Sequence, residues 1–77
     1  MAKDILSRVA EKLGKGQPLK LPEAVAYLEN NNTFYSETQL RNWYRSGRIV
    51  GHQPVKGSPL LISRGTLDKL ISGELPK

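Results

Sequence analysis

The side chains best suited to binding chemistry in this sequence are basic and clustered. Residues 38–67 contain no Asp or Glu, and their basic residues are Arg41, Arg45, Arg48, Lys56 and Arg64. These five charges equal the formal net charge of the whole chain, +5, because the remaining basic and acidic residues cancel. Such a concentration of positive charge on one segment favours binding to a polyphosphate.

Part of this segment predicts a helix that separates polar from apolar side chains. At about 100° per residue, residues 37–46 place four polar residues on one face, at spacing i, i+3, i+4 and i+7: Thr38, Arg41, Asn42 and Arg45. The opposite face carries Leu40, Trp43 and Tyr44. Arginine can form two hydrogen bonds with guanine, and asparagine can do the same with adenine. The polar face therefore suits a major groove, and the helix start suits a phosphate.

An ordinary solvated helix face is the alternative interpretation, since most exposed Arg and Asn residues bind nothing specific. The coincidence of the polar face, the missing acids and a preceding helix favours the binding interpretation. Trp43 is expected in the core. Tyr44 can bury its ring and still reach a phosphate with its hydroxyl group.

The loop 54–59 is a second candidate contact, because it contains Gly and Pro between two extended pieces. Lys56 and Ser58 lie at its tip, where a cation with small neighbours can approach a nucleic-acid backbone or enter a minor groove. Arg48 lies at the start of the first extended piece. A plain solvated turn is the alternative for this loop.

Catalysis, a metal site and a cofactor are not expected. His52 is the only histidine and the chain has no cysteine, so the usual ligands of a transition metal are missing. No nucleophile or orienting partner stands near His52 in the sequence. The chain is therefore predicted not to be an enzyme.

Four helices and a hairpin must position these residues. The first helix is predicted over Asp4–Leu13 with Gly14 as its stop, followed by a flexible connector, 15–18. The second helix is predicted to begin at Pro22 and to end in the Asn30-Asn31-Asn32 turn.

The third helix has the clearest start signal. Ser36 is its predicted N-cap, and Gln39 three residues later would complete a capping box. Tyr35 and Leu40 are spaced for a hydrophobic staple, and Ser46-Gly47 would end the helix. The extended pieces 49–53 and 60–62 then predict the hairpin, and Ser63 caps a last helix with three inward residues: Leu67, Leu70 and Ile71.

Length and composition set outer limits. The 77 residues suffice for one domain with a small core, and the pI of about 9.8 favours an acidic partner. The absence of cysteine fits a reducing cytoplasm, and no apolar run approaches the roughly 20 residues of a membrane span. An anionic membrane surface is the rival partner, but the first helix carries Asp4 and Glu11 and makes a poor interfacial anchor.

Residues 19–70, about two thirds of the chain, resemble the winged helix-turn-helix of the MerR-like superfamily. They are closest to its small excisionase type and to the phage small-terminase DNA-binding domain. The segments that carry the resemblance are Leu-Pro-Glu-Ala-Val-Ala-Tyr-Leu at 21–28, Thr-Gln-Leu-Arg-Asn-Trp-Tyr-Arg-Ser-Gly-Arg-Ile at 38–49, and Leu-Ile-Ser at 61–63 with 67–70.

The resemblance implies a recognition helix in the major groove and a wing on the adjacent backbone or minor groove. By position, the recognition-helix residues are Ser36, Thr38, Gln39, Arg41, Asn42 and Arg45, and Lys56 belongs to the wing. The chain departs from the family in a longer turn, 30–35, and in an extra first helix. It also lacks the long dimerisation helix of full MerR-type regulators within these residues, so small-molecule sensing is not expected here.

The sequence thus predicts a mainly α fold with a small β-hairpin, arranged helix-helix-helix-hairpin-helix. Residues 1–18 form the extra helix and connector, and 19–77 form the winged helix-turn-helix. The expected function is sequence-preferring binding of double-stranded DNA, with the recognition helix 36–47 in the major groove and the wing 54–59 on the backbone or minor groove. It would serve recombination directionality, transcription regulation or the marking of a site for packaging or partition. The expected location is the cytoplasm, in association with the nucleoid through DNA binding.

The sequence also allows additional partners and an alternative function. Additional partners would be a second copy of the chain, through cooperative binding or a dimer, or a recombinase or other DNA-processing protein. The alternative function is a protein-interaction module that uses the stripe Leu6, Val9 and Leu13 of the first helix, with only generic affinity for DNA.

Overall fold

A computed structural model describes residues 2–76 of the chain. Its elements, in chain order, are α1 (Ala2–Gly14), β1 (Leu19–Lys20), α2 (Leu21–Asn30), α3 (Glu37–Arg45), β2 (Leu61–Ile62) and α4 (Arg64–Ser72). The mainly helical architecture, with four helices in residues 2–76, is therefore as predicted, whereas the small antiparallel sheet pairs β2 with β1 and not with the other arm of the predicted hairpin. It is compatible with a winged helix.

All four helices and both strands contribute to one hydrophobic core. Its fully buried larger side chains are Leu19, Leu28, Leu40, Ile62, Leu67 and Leu70. Val9 of α1 is also buried in this cluster, with Ile5 and Leu13 packed against it. The extra first helix therefore shares the core of the rest of the chain.

The first helix runs one residue past its predicted end. Gly14 is helical, and the left-handed residue that closes the helix is Gly16, with φ of +70°. Gln17 N donates to Lys12 O at 2.9 Å across this turn. The residue that ends a helix often has a left-handed backbone conformation, which glycine adopts most easily. Gly16 has this conformation, so Gly16 and not Gly14 ends the helix.

The start of α2 is tied to α1 by a buried carboxylate. Glu23 accepts hydrogen bonds from the Lys20 backbone N at 2.9 Å and from Lys12 Nζ at 2.7 Å. The helix begins at Leu21, one residue before the predicted start. Pro22 fits there because the first turn of a helix has no partner for a backbone N–H.

The turn between α2 and α3 closes with backbone bonds and an aromatic contact. Thr33 N donates to Leu28 O at 2.8 Å, and Asn32 takes a positive φ of 59°, which asparagine tolerates better than most residues. Tyr35 then packs edge to face on Trp43, with ring centroids 4.8 Å apart. The Asn-rich stop of α2 is confirmed.

The predicted hairpin is much shorter than expected. Its two arms share a single bridge, in which His52 and Leu61 exchange two backbone hydrogen bonds of 2.8 Å. The regular pairing of β2 is instead with β1, antiparallel, with Leu19 opposite Ile62. Pro54 has no backbone N–H, so it cannot donate the next hydrogen bond of the hairpin beyond the bridge at His52. Leu19 and Lys20 both have a backbone N–H and can pair with β2.

The last helix forms as predicted. Ser63 Oγ accepts from Thr66 N at 3.4 Å, and Gly73 ends the helix with φ of +88°. Tyr27 Oη donates to Asp68 Oδ1 at 2.7 Å and joins α2 to α4. This hydrogen bond, with partial burial, raises the pKa of the Tyr27 hydroxyl group.

Candidate nucleic-acid interface

The capped start of α3 is confirmed by its geometry. Ser36 Oγ accepts from Gln39 N at 3.1 Å. The reciprocal bond of the predicted capping box, from the Ser36 backbone to the Gln39 side chain, is absent from the hydrogen bonds of residues 2–76. Glu37 is the first residue of the helix, and the cap satisfies one of the free backbone N–H groups of its first turn.

The two faces of α3 divide as the sequence predicts. Leu40 is fully buried, and Trp43 and Tyr44 are half-buried against the core. The opposite face is exposed to solvent and carries Thr38, Arg41, Asn42 and Arg45. The apolar face therefore anchors the helix and leaves the polar face free.

A groove of about 480 Å³ runs between α3, the start of α2 and the loop 54–59. From α3 its lining residues are Glu37, Arg41, Tyr44 and Arg45, and from the loop region they are Gln53, Gly57, Ser58, Pro59 and Leu60. Lys20, Leu21 and Pro22 complete the wall. The structure thus brings four predicted site residues to one groove: Arg41, Tyr44, Arg45 and Ser58.

The other six predicted site residues are exposed outside this groove. They are Ser36, Thr38, Gln39, Asn42, Arg48 and Lys56. At 100° per residue, the positions of Thr38 and Asn42 are rotated from that of Arg41 by roughly 60° and 100° about the helix axis, away from the groove. They lie on the outer surface of α3, where they would contact only a ligand that extends beyond the groove.

The tip of the loop is an ordered turn. Ser58 Oγ donates to Val55 O at 2.6 Å, and Ser58 N donates to the same oxygen at 3.1 Å. Gly57 supplies the positive φ, +90°, that the third position of this turn requires. Gln53 Nε2 donates to Ser58 O at 2.9 Å and braces the turn from the strand side. Lys56 is therefore held at an exposed tip.

Gly51 lets α3 lie close to the base of this loop. A Cβ atom at this position would stand 3.0 Å from Tyr44 Cδ1 and 3.0 Å from Leu60 Cδ1. Its φ is not positive, so the limited space, and not the backbone conformation, favours glycine here. The sequence analysis missed this contact, although an isolated glycine within an extended piece is a signal of close approach.

Glu37 is the second residue that the sequence analysis missed. It lies one position before the acid-free segment 38–67, and its exposed side chain lines the same groove as Arg41. An acid at the start of a helix is favoured by the helix dipole. That ordinary role gave no reason to single it out from sequence.

Four of the five basic residues of segment 38–67 have no acidic partner within residues 2–76. Among residues 2–76 the ion pairs within 4 Å are Lys12–Glu23, Lys15–Glu11 and Arg64–Asp68. Arg64, one of the five basic residues of segment 38–67, is therefore engaged on α4. The other four make no ion pair in this part of the chain: Arg41, Arg45, Arg48 and Lys56.

No protein-family model, no curated protein and no solved structure matches this chain. In residues 2–76, no three His, Asp or Glu side chains lie together as a metal-ion site would require. None of the helices in the same range is long and apolar enough to cross a membrane.

Proposed function

We propose that this protein binds double-stranded DNA, with α3 in the major groove and the loop 54–59 on the adjacent backbone or in the minor groove. Phosphates would supply most of the affinity, and the exposed side chains of α3 would choose the site.

One observation carries the proposal. Arg41, Arg45, Arg48 and Lys56 are exposed, have no acidic partner among the described residues, and lie on α3 or the segment that follows it. A protein surface with unpaired cations and no acid over 30 consecutive positions is complementary to a polyanion. The spacing of Arg41 and Arg45 on the exposed face of α3 suits a duplex groove.

The structure supports two kinds of contact. Arg41 and Asn42 carry side chains that can read base edges, and Tyr44 borders the groove with its half-buried ring. Lys56, at the tip of the braced turn, suits a phosphate or a minor groove. Phe34 and Val55, which are 70% and 65% exposed, stand beside α3 and the tip and can add apolar contacts.

A protein-interaction module based on α1 is the second candidate, and the structure gives it less support. Val9 of the predicted stripe is buried in the core and Leu13 packs against it, so only Leu6 stays exposed, at 37%. A shallow groove lined by Leu6, Val25 and Ala26 is the surface that this function would use.

Three biological uses are consistent with a domain that binds a short duplex sequence. Recombination directionality, transcription regulation and the marking of a site for packaging or partition all need a short duplex sequence to be recognised. One copy would read a short half-site, so cooperative binding of several copies or a DNA-processing partner such as a recombinase would extend the recognised sequence.

A titration of the protein into a fluorescently labelled random-sequence duplex, followed by anisotropy at several salt concentrations, tests the proposal. The double variant Arg41→Ala/Lys56→Ala should bind more weakly and with a shallower salt dependence, since loss of the Lys56 phosphate contact lowers the slope by about 0.9. The matched control is Arg8→Ala/Lys69→Ala, which removes two exposed charges outside the groove. Equal binding by both variants, or no binding by the unmodified protein at low salt, would contradict the proposal.

A further inference from the structure

We propose that Glu37 is a specificity-determining residue, whose carboxylate accepts a hydrogen bond from the N4 amino group of a cytosine in the major groove. This inference rests on the proposed DNA-binding function and names one base that the surface selects.

The position of Glu37 is the first support. It is the first residue of α3 and lines the groove together with Arg41, one helical turn further on. Its side chain is exposed and also borders the neighbouring groove between α1 and α2, which puts it at the rim of both. The first residues of a recognition helix are those that reach base edges.

The charge of Glu37 is the second support. It is the one acid among the residues that line the groove, and it makes no ion pair within 4 Å in residues 2–76. Neither Arg41 nor Lys20 neutralises it, although both line the same groove. A free carboxylate repels phosphates, so on a phosphate-binding surface it lowers affinity for every sequence unless a donor is present.

The bases leave one suitable donor. A carboxylate only accepts hydrogen bonds, and in the major groove guanine presents acceptors and thymine presents an acceptor and a methyl group. Adenine offers an amino group, but its N7 acceptor stands beside it and repels a carboxylate. Cytosine offers its N4 amino group without a neighbouring ring acceptor.

The spacing on α3 sets where this cytosine lies. Four residues along a helix correspond to about 6 Å of rise, and successive base pairs are about 3.4 Å apart. Glu37 and Arg41 are also only about 40° apart around the helix axis. The cytosine should therefore lie within about two base pairs of the guanine that Arg41 contacts.

A structural role for Glu37 makes a different prediction. An acid at the start of a helix stabilises it through the helix dipole, by about 0.3–1 kcal/mol. Loss of that effect would lower the melting temperature without changing which bases are preferred. Base preference is thus the readout that separates the two roles.

The experiment selects preferred duplexes from a random pool with the unmodified protein, with Glu37→Ala and with Glu29→Ala. Glu29 is exposed on α2 and does not line the groove of Arg41, so its variant controls for the loss of one negative charge. Dissociation constants are then measured for the selected duplex and for a set of duplexes in which one C·G pair at a time is changed to T·A, with the pair of the guanine that Arg41 contacts changed separately. Circular dichroism checks that each variant keeps its helices.

The unmodified protein and Glu29→Ala should discriminate against loss of one cytosine by about five- to tenfold, and Glu37→Ala should lose that discrimination while it retains the guanine preference. Retained cytosine discrimination in Glu37→Ala, or a selected site with no second C·G pair within about two base pairs of the guanine that Arg41 contacts, would overturn the inference and leave the proposed function standing. Failure of the unmodified protein to bind any duplex would overturn both.

Discussion

The proposed DNA-binding surface includes two exposed cations, Arg41 and Lys56, and one exposed amide, Asn42, at different positions. Arg41 lines the groove, Asn42 lies on the outer side of α3, and Lys56 stands at the tip of the loop. Contacts to base edges discriminate between sequences, whereas contacts to phosphates bind all sequences alike. Substitution of Arg41 or Asn42 should therefore have a different effect from substitution of Lys56.

Arg41→Ala and Asn42→Ala should each reduce discrimination at one base position by about 1–3 kcal/mol, because each removes a side chain able to pair with a base edge. Lys56→Ala should weaken binding to all duplexes by the same factor and lower the salt slope by about 1. Competition titrations with single-base variants of a selected duplex measure both effects. Arg8→Ala is the control for loss of one exposed charge, and unchanged affinity in all three test variants would contradict the docking model.

Gly51 leaves little room for a side chain. In Gly51→Ala the new methyl group would meet Tyr44 and Leu60 at 3.0 Å, and the resulting overpacking should cost about 1–3 kcal/mol of unfolding free energy. The loop would also shift relative to α3, so DNA affinity should fall. Urea denaturation and anisotropy titration measure the two effects.

Gly65→Ala is the matched control for this change. A Cβ atom at Gly65 would meet only Ser63 Oγ, at 4.0 Å, so the helical alanine should be neutral or mildly stabilising. Equal stability of the Gly51 and Gly65 variants would show that α3 does not pack on the loop as described.

The helices were predictable because their start and stop signals are local. Ser36 and Ser63 cap α3 and α4 at the predicted positions, and the faces of α3 follow the periodicity of its apolar residues. The strands were less predictable, since β2 pairs with β1 across more than 40 residues of chain and shares only one bridge with the nearer arm. Strands that are far apart in the sequence have no short turn motif between them, so the sequence does not indicate that they pair.

The candidate surface was predictable in charge but not in arrangement. Clustered arginines identified α3, whereas the groove, the close approach of Gly51 and the position of Glu37 depend on how the loop packs on α3 and on the start of α2. Those relations are tertiary. A sequence shows only that Glu37 is an acid at a helix start.

The caps of α3 and α4 allow a matched test of which helix contacts DNA. Ser36→Ala and Ser63→Ala each remove a side-chain oxygen that accepts a backbone N–H, and each should cost about 1 kcal/mol of unfolding free energy. Only Ser36→Ala should also weaken DNA binding, because it loosens the first turn of α3. Thermal denaturation and anisotropy measure both properties, and equal loss of affinity in the two variants would argue against α3 as the contacting helix.

The Glu23 carboxylate joins α1 to the start of α2. Burial by itself would raise the pKa of the Glu23 carboxyl group, but the hydrogen bonds from Lys12 and the Lys20 backbone, with the nearby positive charges, lower it overall. A carboxylate with a lowered pKa in the folded state stabilises the fold above its ordinary pKa of 4.5. That contribution disappears as the pH falls through the lowered value.

Glu23→Gln should therefore lower the unfolding free energy at neutral pH by roughly 1.5–3 kcal/mol, because charged hydrogen bonds to Lys12 and Lys20 are lost. The difference from the unmodified protein should shrink as the pH falls below about 4.5. Denaturation curves between pH 3 and pH 7 measure it. Glu11→Gln, which breaks an exposed pair with Lys15, should change stability by less than about 1 kcal/mol, and a pH-independent difference for Glu23→Gln would rule out the ionic explanation.

The most direct test of the proposed interface is a map of backbone amide NMR shifts during titration with a short duplex selected from a random pool. The largest shifts should fall on residues 36–48 and 53–58, with small shifts on the exposed face of α1 and on α4. Shifts concentrated on α1, around Leu6, would contradict the proposed interface and favour the protein-interaction surface.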